Sequence, residues 1–394
     1  MPKVQLVVHA GPHARRNCPA MARLPHSGKK PPVSVLLTSD DGTALPAQVA
    51  LPAFSRGSAA AGHFCIAFVL PELGPGESLR LTAEPRGEPA GESPAVTVAD
   101  DTSGRVDISI NGEPLTSYRY LGNPARPCFF PLIGPGGKRV TRSWPIADDV
   151  AGETRDHVHH RSLWVAHGDV NRTDNWSEGE GHGFQLHREI IVGESGVVYG
   201  QLAASTDWTD RNQTKMLEER RALTAWAIGS DARLFDFDVR FTATECDVRF
   251  GDTKEGGILA MRVAPAMDGD HGGRIENSYG AAGEAECWGR RAHWCDYVGE
   301  IGGERLGIAI FDHPRSFRHP TYWHVRDYGM YTANPFGWHD FHDHPAVDGS
   351  HLLPRGASLD FHYRVYLHRG ATGEADVAAR YHDFANPPRV EIAA

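Results

Sequence analysis

The residues best equipped for chemistry crowd into positions 156–176, DHVHHRSLWVAHGDVNRTDNW. Four histidines (His157, His159, His160, His167), Arg161, three aspartates, two asparagines and two tryptophans share these twenty-one residues. A polar group of this kind buried without a partner costs roughly 1–3 kcal/mol, so the segment either lies on the surface or converges on a ligand. Run as a strand, it puts His157, His159 and Arg161 on one face and His160 on the other, because side chains alternate. The apolar residues 163–166 then anchor the strand, and His167-Gly168 turns out of it. Asn171 adds an amide for substrate binding. Imidazoles titrate near neutral pH, so a cluster of them on a rigid anchor suits proton transfer at a cleft wall.

Three further segments carry chemistry. FGDTKEGG (residues 250–257) supplies an ammonium and a carboxylate, Lys254 and Glu255, between glycines that let backbone approach a ligand closely. It lacks the phosphate-loop spacing and reads equally as a tight turn with solvated charges. In WGRRAHWCDY (288–297), Trp294 beside arginines and Asp296 suits the C–H face of a pyranose, although tryptophans in β proteins also serve as packing. Residues 312–344 bring His324 and Arg326 to one face of an alternating run and present Asn334 from an Asn-Pro-Phe-Gly turn. The HDFHDH run at 339–344 offers further donors, more in the manner of a solvated loop than of a metal site.

Together these groups form a kit for general acid–base work on a polyol. His159 or His160 abstracts or relays a proton, with Glu255 as acid–base partner. Arg161, Lys254 and Arg326 hold a carboxylate or steady an enolate, since cations are needed where negative charge develops. His157, His167, Asn171, Trp294, His324 and Asn334 complete the expected substrate-binding set. The reaction expected is a sugar lyase or epimerase step on a sugar, keto-sugar or uronate-sugar. A glycoside hydrolase instead pairs Glu255 with Asp252 or Asp312. A metal version recruits His157, His159 and His167 around a divalent ion; otherwise no cofactor is expected. The competing class is a non-catalytic carbohydrate-binding protein, with stacked tryptophan and no perturbed titratable pair.

The elements that must position these groups read as strands. With 43 glycines and 27 prolines in 394 residues, the chain favours many short strands joined by turns. Residues 234–242 alternate Phe235, Phe237, Val239 and Phe241 with polar neighbours, and 359–367 repeat the pattern. Asn111-Gly112 signals a hairpin, and only 374–384 has a helical pattern, stopped by Asn386-Pro387-Pro388. The fold expected is all-β: a large antiparallel sandwich of the supersandwich, galactose-mutarotase-like kind over 105–394, behind a small β module at 1–98. Residues 84–103 read as a linker. A formal net charge of −10 leaves no footprint for nucleic acid. No run of apolar residues is long enough for a membrane span or leader, so a cytoplasmic location is expected. Exposed sheet edges leave room for a homodimer.

In this order, DHVHHRSLWVAHGDVN, FGDTKEGG, WGRRAHWCDY and HVRDYGMYTANPFG resemble the bacterial PmoA-like family of unknown function, over roughly residues 105–385. That family's label refers to an integral-membrane methane-oxygenase subunit, which a chain without a transmembrane segment is not. The resemblance implies a β protein of carbohydrate metabolism and supplies no catalytic residues.

Overall fold

The computed structural model describes residues 2–28, 31–50, 62–89, 91–122, 125–344 and 346–393. Two large antiparallel sheets face each other across one core, as the alternating strands require. The larger sheet has twelve described strands. Its central run is Tyr322–Val325, Met330–Asn334, Gly256–Arg262, Leu163–Val170, Cys128–Phe129, Glu113–Arg119, Arg105–Ile110 and Val96–Asp100. The other sheet has eight, in the order Phe184–Glu194, Tyr199–Thr209, Lys215–Trp226, Ala232–Thr242, Ser358–Arg369, Glu304–Asp312, Trp294–Ile301 and Arg274–Asn277. Phe235, Phe237, Val239 and Phe241 all point into the shared core, the face their alternation assigns them. The large antiparallel sandwich expected from the sequence is thus the observed architecture.

Each strand of the larger sheet splits its residues between that core and the outer face. Leu163 and Val165 join the core, whereas Trp164 and Ala166 pack outside with Cys128, Trp176, Ala260 and Met330. Trp323 and Val325 point inward, which sends His324 outward. The outward direction of His324 is therefore fixed by the burial of its neighbours. Burying each such aromatic or aliphatic side chain is worth about 1.5–3 kcal/mol, so a one-residue slip of register would be costly.

The small module pairs a five-stranded sheet with the three strands Arg15–Pro25, His63–Leu73 and Ala47–Ala50 around its own apolar cluster. Two strands depart from the division read in the sequence. Within the presumed linker, Val96–Asp100 pairs with Arg105–Ile110, and Val96 enters the sandwich core. The alternation of Val96 and Val98 prevails there over the surrounding Pro, Gly and acidic residues. At the other end of the chain, Arg389–Ile392 returns to pair with Val4–His9 in the small module. Asn111 and Gly112 both take positive φ (52° and 80°), as a two-residue hairpin turn between strands requires. The helix Val377–Ala385 matches the one helical pattern in the sequence. Among the described residues, no helix is long and apolar enough to cross a membrane.

Candidate active site

On the outer face of the larger sheet, a cleft of about 230 Å³ gathers six of the residues the sequence singles out: His157, His160, Lys254, Glu255, His324 and Arg326. Three more, Trp176, Tyr328 and Met330, complete its wall.

Residues 156–162 form a loop rather than the strand their alternation allows. His157 and Ser162 adopt left-handed φ values of 45° and 61°, and the strand starts only at Leu163. The loop is shaped by Asp156, which sits between two arginines. Arg142 donates to it at 2.5 Å, Arg262 at 3.0 and 3.1 Å, and His157 Nδ1 at 2.6 Å. Burial pushes the Asp156 carboxyl up, but Arg262, His157 and Arg142 outweigh it and hold it at about 2. Arg262 also lies 4.7 Å over the Tyr328 ring. The imidazoles of His157 and His160 stack at 4.7 Å and 5°, with Tyr328 parallel to both.

Hydrogen bonding sets the proton positions on two imidazoles. Arg262 donates to His160 Nδ1 at 3.1 Å, so that nitrogen is an acceptor and the proton of the neutral ring lies on Nε2. Burial, then the charges of His159 and Arg262, keep His160 far below the usual imidazole range and therefore neutral. His324 is the reverse case. Its Nδ1–H donates to the Lys254 carbonyl at 2.8 Å, which leaves Nε2 as the lone-pair nitrogen. Burial pushes His324 down to about 4, with the Glu255 charge and the Lys254 hydrogen bond opposing it. At neutral pH His160 thus offers an N–H and His324 a lone pair.

The loop bearing Lys254 and Glu255 is pinned by its neighbours. Asn334 Nδ2 donates to the carbonyls of Thr253 and Lys254 at 3.0 Å, and its Oδ1 accepts from Phe336 and Gly337. His167 Nε2 donates to the Gly251 carbonyl at 2.9 Å. Gly168 and Gly256 allow this close packing: a Cβ on Gly168 would meet the Glu255 carbonyl at 2.8 Å, and one on Gly256 would meet His167 Nδ1 at 2.7 Å. Lys254 Nζ pairs with Glu255 at 2.9 Å, and Arg326 with Glu284 at 2.6 Å beneath the Trp288 ring.

The remaining sequence candidates stand elsewhere. His167 is fully buried and Asn334 likewise, so both act on the loop backbone rather than on a ligand. His159 sits at the rim, its ring 4.5 Å from His160 and 5.7 Å from Trp176. Burial, then Arg126, bring it down to about 4. Arg161 is committed to a two-pronged ion pair with Glu178 at 2.8 and 2.6 Å. Asn171 closes a turn with the backbone of Asp247 and Arg249. Trp294 packs on the eight-stranded sheet beneath the helix Val377–Ala385. His157, His159 and His167 do not converge, and no three His, Cys, Asp or Glu side chains among the described residues form a metal-holding set.

The model of a family of unknown function, DUF6807, matches residues 105–382. The chain belongs to that family. This corrects the PmoA-like resemblance: the four motifs that carried it lie inside the DUF6807 match, and no PmoA-like family matches. No curated protein matches the sequence. Among solved structures, the chain is similar to a glycosyl hydrolase family 38 protein from Enterococcus faecalis, at 9% identity and a TM-score of 0.45 over 100% of this chain and 47% of that one. It is also similar to an alpha-galactosidase from Lactobacillus brevis, at 8% identity and a TM-score of 0.37 over 75% of this chain and 42% of that one. The chain spans less than half the length of either, and at these scores neither likeness bears on chemistry. All nine cleft residues fall within the part of the chain that the DUF6807 model covers. Sequence reasoning passed over Trp176, Tyr328 and Met330 although each lies in a quoted motif or the histidine stretch. It also missed Arg142 and Arg262, whose distance in sequence from residues 156–160 hides their role.

Proposed function

We propose that the cleft is the active site of a carbohydrate-directed enzyme that moves a proton on the carbon beside a carbonyl, as in lyase or epimerase chemistry on a keto- or uronate-sugar. The observation that carries this reading is the opposed tautomers of His160 and His324 in one cavity. His324 Nε2 takes the proton from carbon. The electron pair moves onto the carbonyl oxygen, where the His160 Nε2–H and the Lys254 ammonium meet the developing charge. Glu255, whose charge raises the His324 pKa, makes the protonated imidazole tolerable while it holds the proton. In a lyase the protonated His324 gives its proton to the leaving oxygen; in an epimerase the Lys254 ammonium delivers a proton to the opposite face of the carbon and is reprotonated from His324 through Glu255, to which it is paired. Trp176, Tyr328 and Met330 supply apolar ground for the sugar ring.

Hydrolysis by two carboxylates has less support. Glu255 is the sole carboxylate among the described residues lining the cleft. Asp252 is engaged by the backbone N–H groups of His339 and Gly349, and Asp312 lies in the other sheet.

The test is deuterium exchange. Keto- and uronate-sugars are incubated with the protein in heavy water and followed by proton NMR for label at the carbon beside the carbonyl. Exchange that His324→Ala abolishes is expected. A panel that shows no exchange with wild type, or a His324→Ala variant that exchanges at the wild-type rate, removes the proposal.

A further inference from the structure

A second cavity, of about 320 Å³, opens where the small module meets the eight-stranded sheet and the helix Val377–Ala385. That volume lies within the range of small-ligand pockets, which favour such junctions between folded units. Its walls are built by buried ion pairs. Arg15 joins Asp383 at 3.1 Å, and Arg380 joins Asp383 at 2.9 Å while donating to the Arg16 carbonyl. Arg364 grips Asp236 with two hydrogen bonds, at 2.5 and 3.0 Å. Arg15 and Arg380 thereby tie the small module to the helix Val377–Ala385, and Arg364 is fixed within the eight-stranded sheet.

Other polar groups in the same wall are not used in this way. Among the described residues, the Arg16 guanidinium, the Asp231 and Asp376 carboxylates and the Tyr366 hydroxyl make no side-chain hydrogen bond or ion pair. Arg380 Nε is buried without a partner. The wall therefore presents unpaired donors and unpaired acceptors side by side.

The balance of charge narrows the ligand. Four arginines line the cavity against four carboxylates, so a net anion or cation meets as many like charges as unlike ones. A polyol does not, because each hydroxyl both donates and accepts. The Tyr366 ring, with Ile228, Leu234 and Ala375, offers apolar surface to the C–H face of a sugar. We infer that this cavity is a second, non-catalytic site that binds a neutral saccharide between the small module and the sandwich. It stands independently of the chemistry assigned to the cleft.

Titration calorimetry of the full chain with a panel of neutral hexoses, pentoses and their β-linked disaccharides tests it. At least one sugar is expected to bind, and to keep binding in His324→Ala, which alters only the cleft. In Arg16→Glu and in Asp231→Lys that affinity falls at least about tenfold. Both positions are exposed, and circular dichroism confirms that the variants fold. The inference is overturned if no sugar of the panel binds, if binding disappears in His324→Ala, or if it survives unchanged in both cavity variants.

Discussion

Two regions of this molecule are dense in histidine, and they are built to opposite ends. In the cleft on the larger sheet, each key imidazole spends one nitrogen on the protein and keeps the other for the cavity. Where the strand Trp294–Ile301 begins and Glu304–Asp312 ends, the imidazoles spend themselves on one another. Asp312 accepts from the Thr321 backbone N–H at 2.8 Å and pairs with His319 at 2.9 Å. His319 meets His293 at 3.0 Å, and Tyr279 meets His293 at 3.3 Å. None of these five residues lines either of the cavities described above. A crowd of titratable groups marks a site only where polar edges are left over beside a void; where the imidazole edges are taken up by neighbours away from both cavities, the same residues are a fastening, even though Asp312 Oδ1 is buried without a partner.

The comparison can be broken most severely by deleting one imidazole from each region. His324→Ala is expected to lower turnover by about 10²–10⁴-fold, the range for loss of a general base. His293→Ala is expected to leave turnover within about twofold, read from steady-state kinetics on whichever keto- or uronate-sugar exchanges. Equal losses in both variants would erase the distinction between site and fastening.

Acid sharpens the same contrast. Burial holds folded His324 at about 4, against 6.5 when unfolded. The folded state therefore favours the neutral ring. That contribution is complete above pH 6.5 and is lost as pH falls through 6.5 towards 4, by about 3 kcal/mol in all. Urea denaturation across this window should show a shallower fall in stability for His324→Leu than for wild type. His293, also lowered by burial and by the His319 charge, is more exposed, so His293→Ala should flatten the curve less.

Asp312→Ala removes a fully buried carboxylate and strands the Thr321 N–H and the His319 ring. A loss of about 1–3 kcal/mol in chemical denaturation is expected, with ligand binding in the cleft unchanged. The smallest effect belongs to His157→Ala. His157 is exposed and its hydrogen bond to Asp156 is half in solvent, so stability should change by no more than about 1 kcal/mol.

Much of the scaffold was legible because it rests on local alternation. Residues 234–242 and 359–367 announce which face is apolar, and the core accepts that face. Phe184–Glu194 gave no such signal, since His187, Arg188 and Glu189 interrupt it; its strand character comes from pairing with Tyr199–Thr209. The site was legible in residue type and less so in geometry. His324 and Arg326 stand where alternation put them. His167 and Trp294 do not reach the cleft, because which face of a strand meets the core depends on the sheet packed against it. The role of Asp156 could not be read locally, since its arginine partners Arg142 and Arg262 come from 14 and 106 residues away.

Proton transfer in the cleft rests on a neutral imidazole donor, His160, and a neutral imidazole acceptor, His324. Nitrogen-15 NMR of the histidine rings at neutral pH tests it most directly. The structure predicts a proton on Nε2 of His160 with Nδ1 bare, and a proton on Nδ1 of His324 with Nε2 bare. A charged ring at either position, or the same tautomer at both, would rule out this donor–acceptor pair.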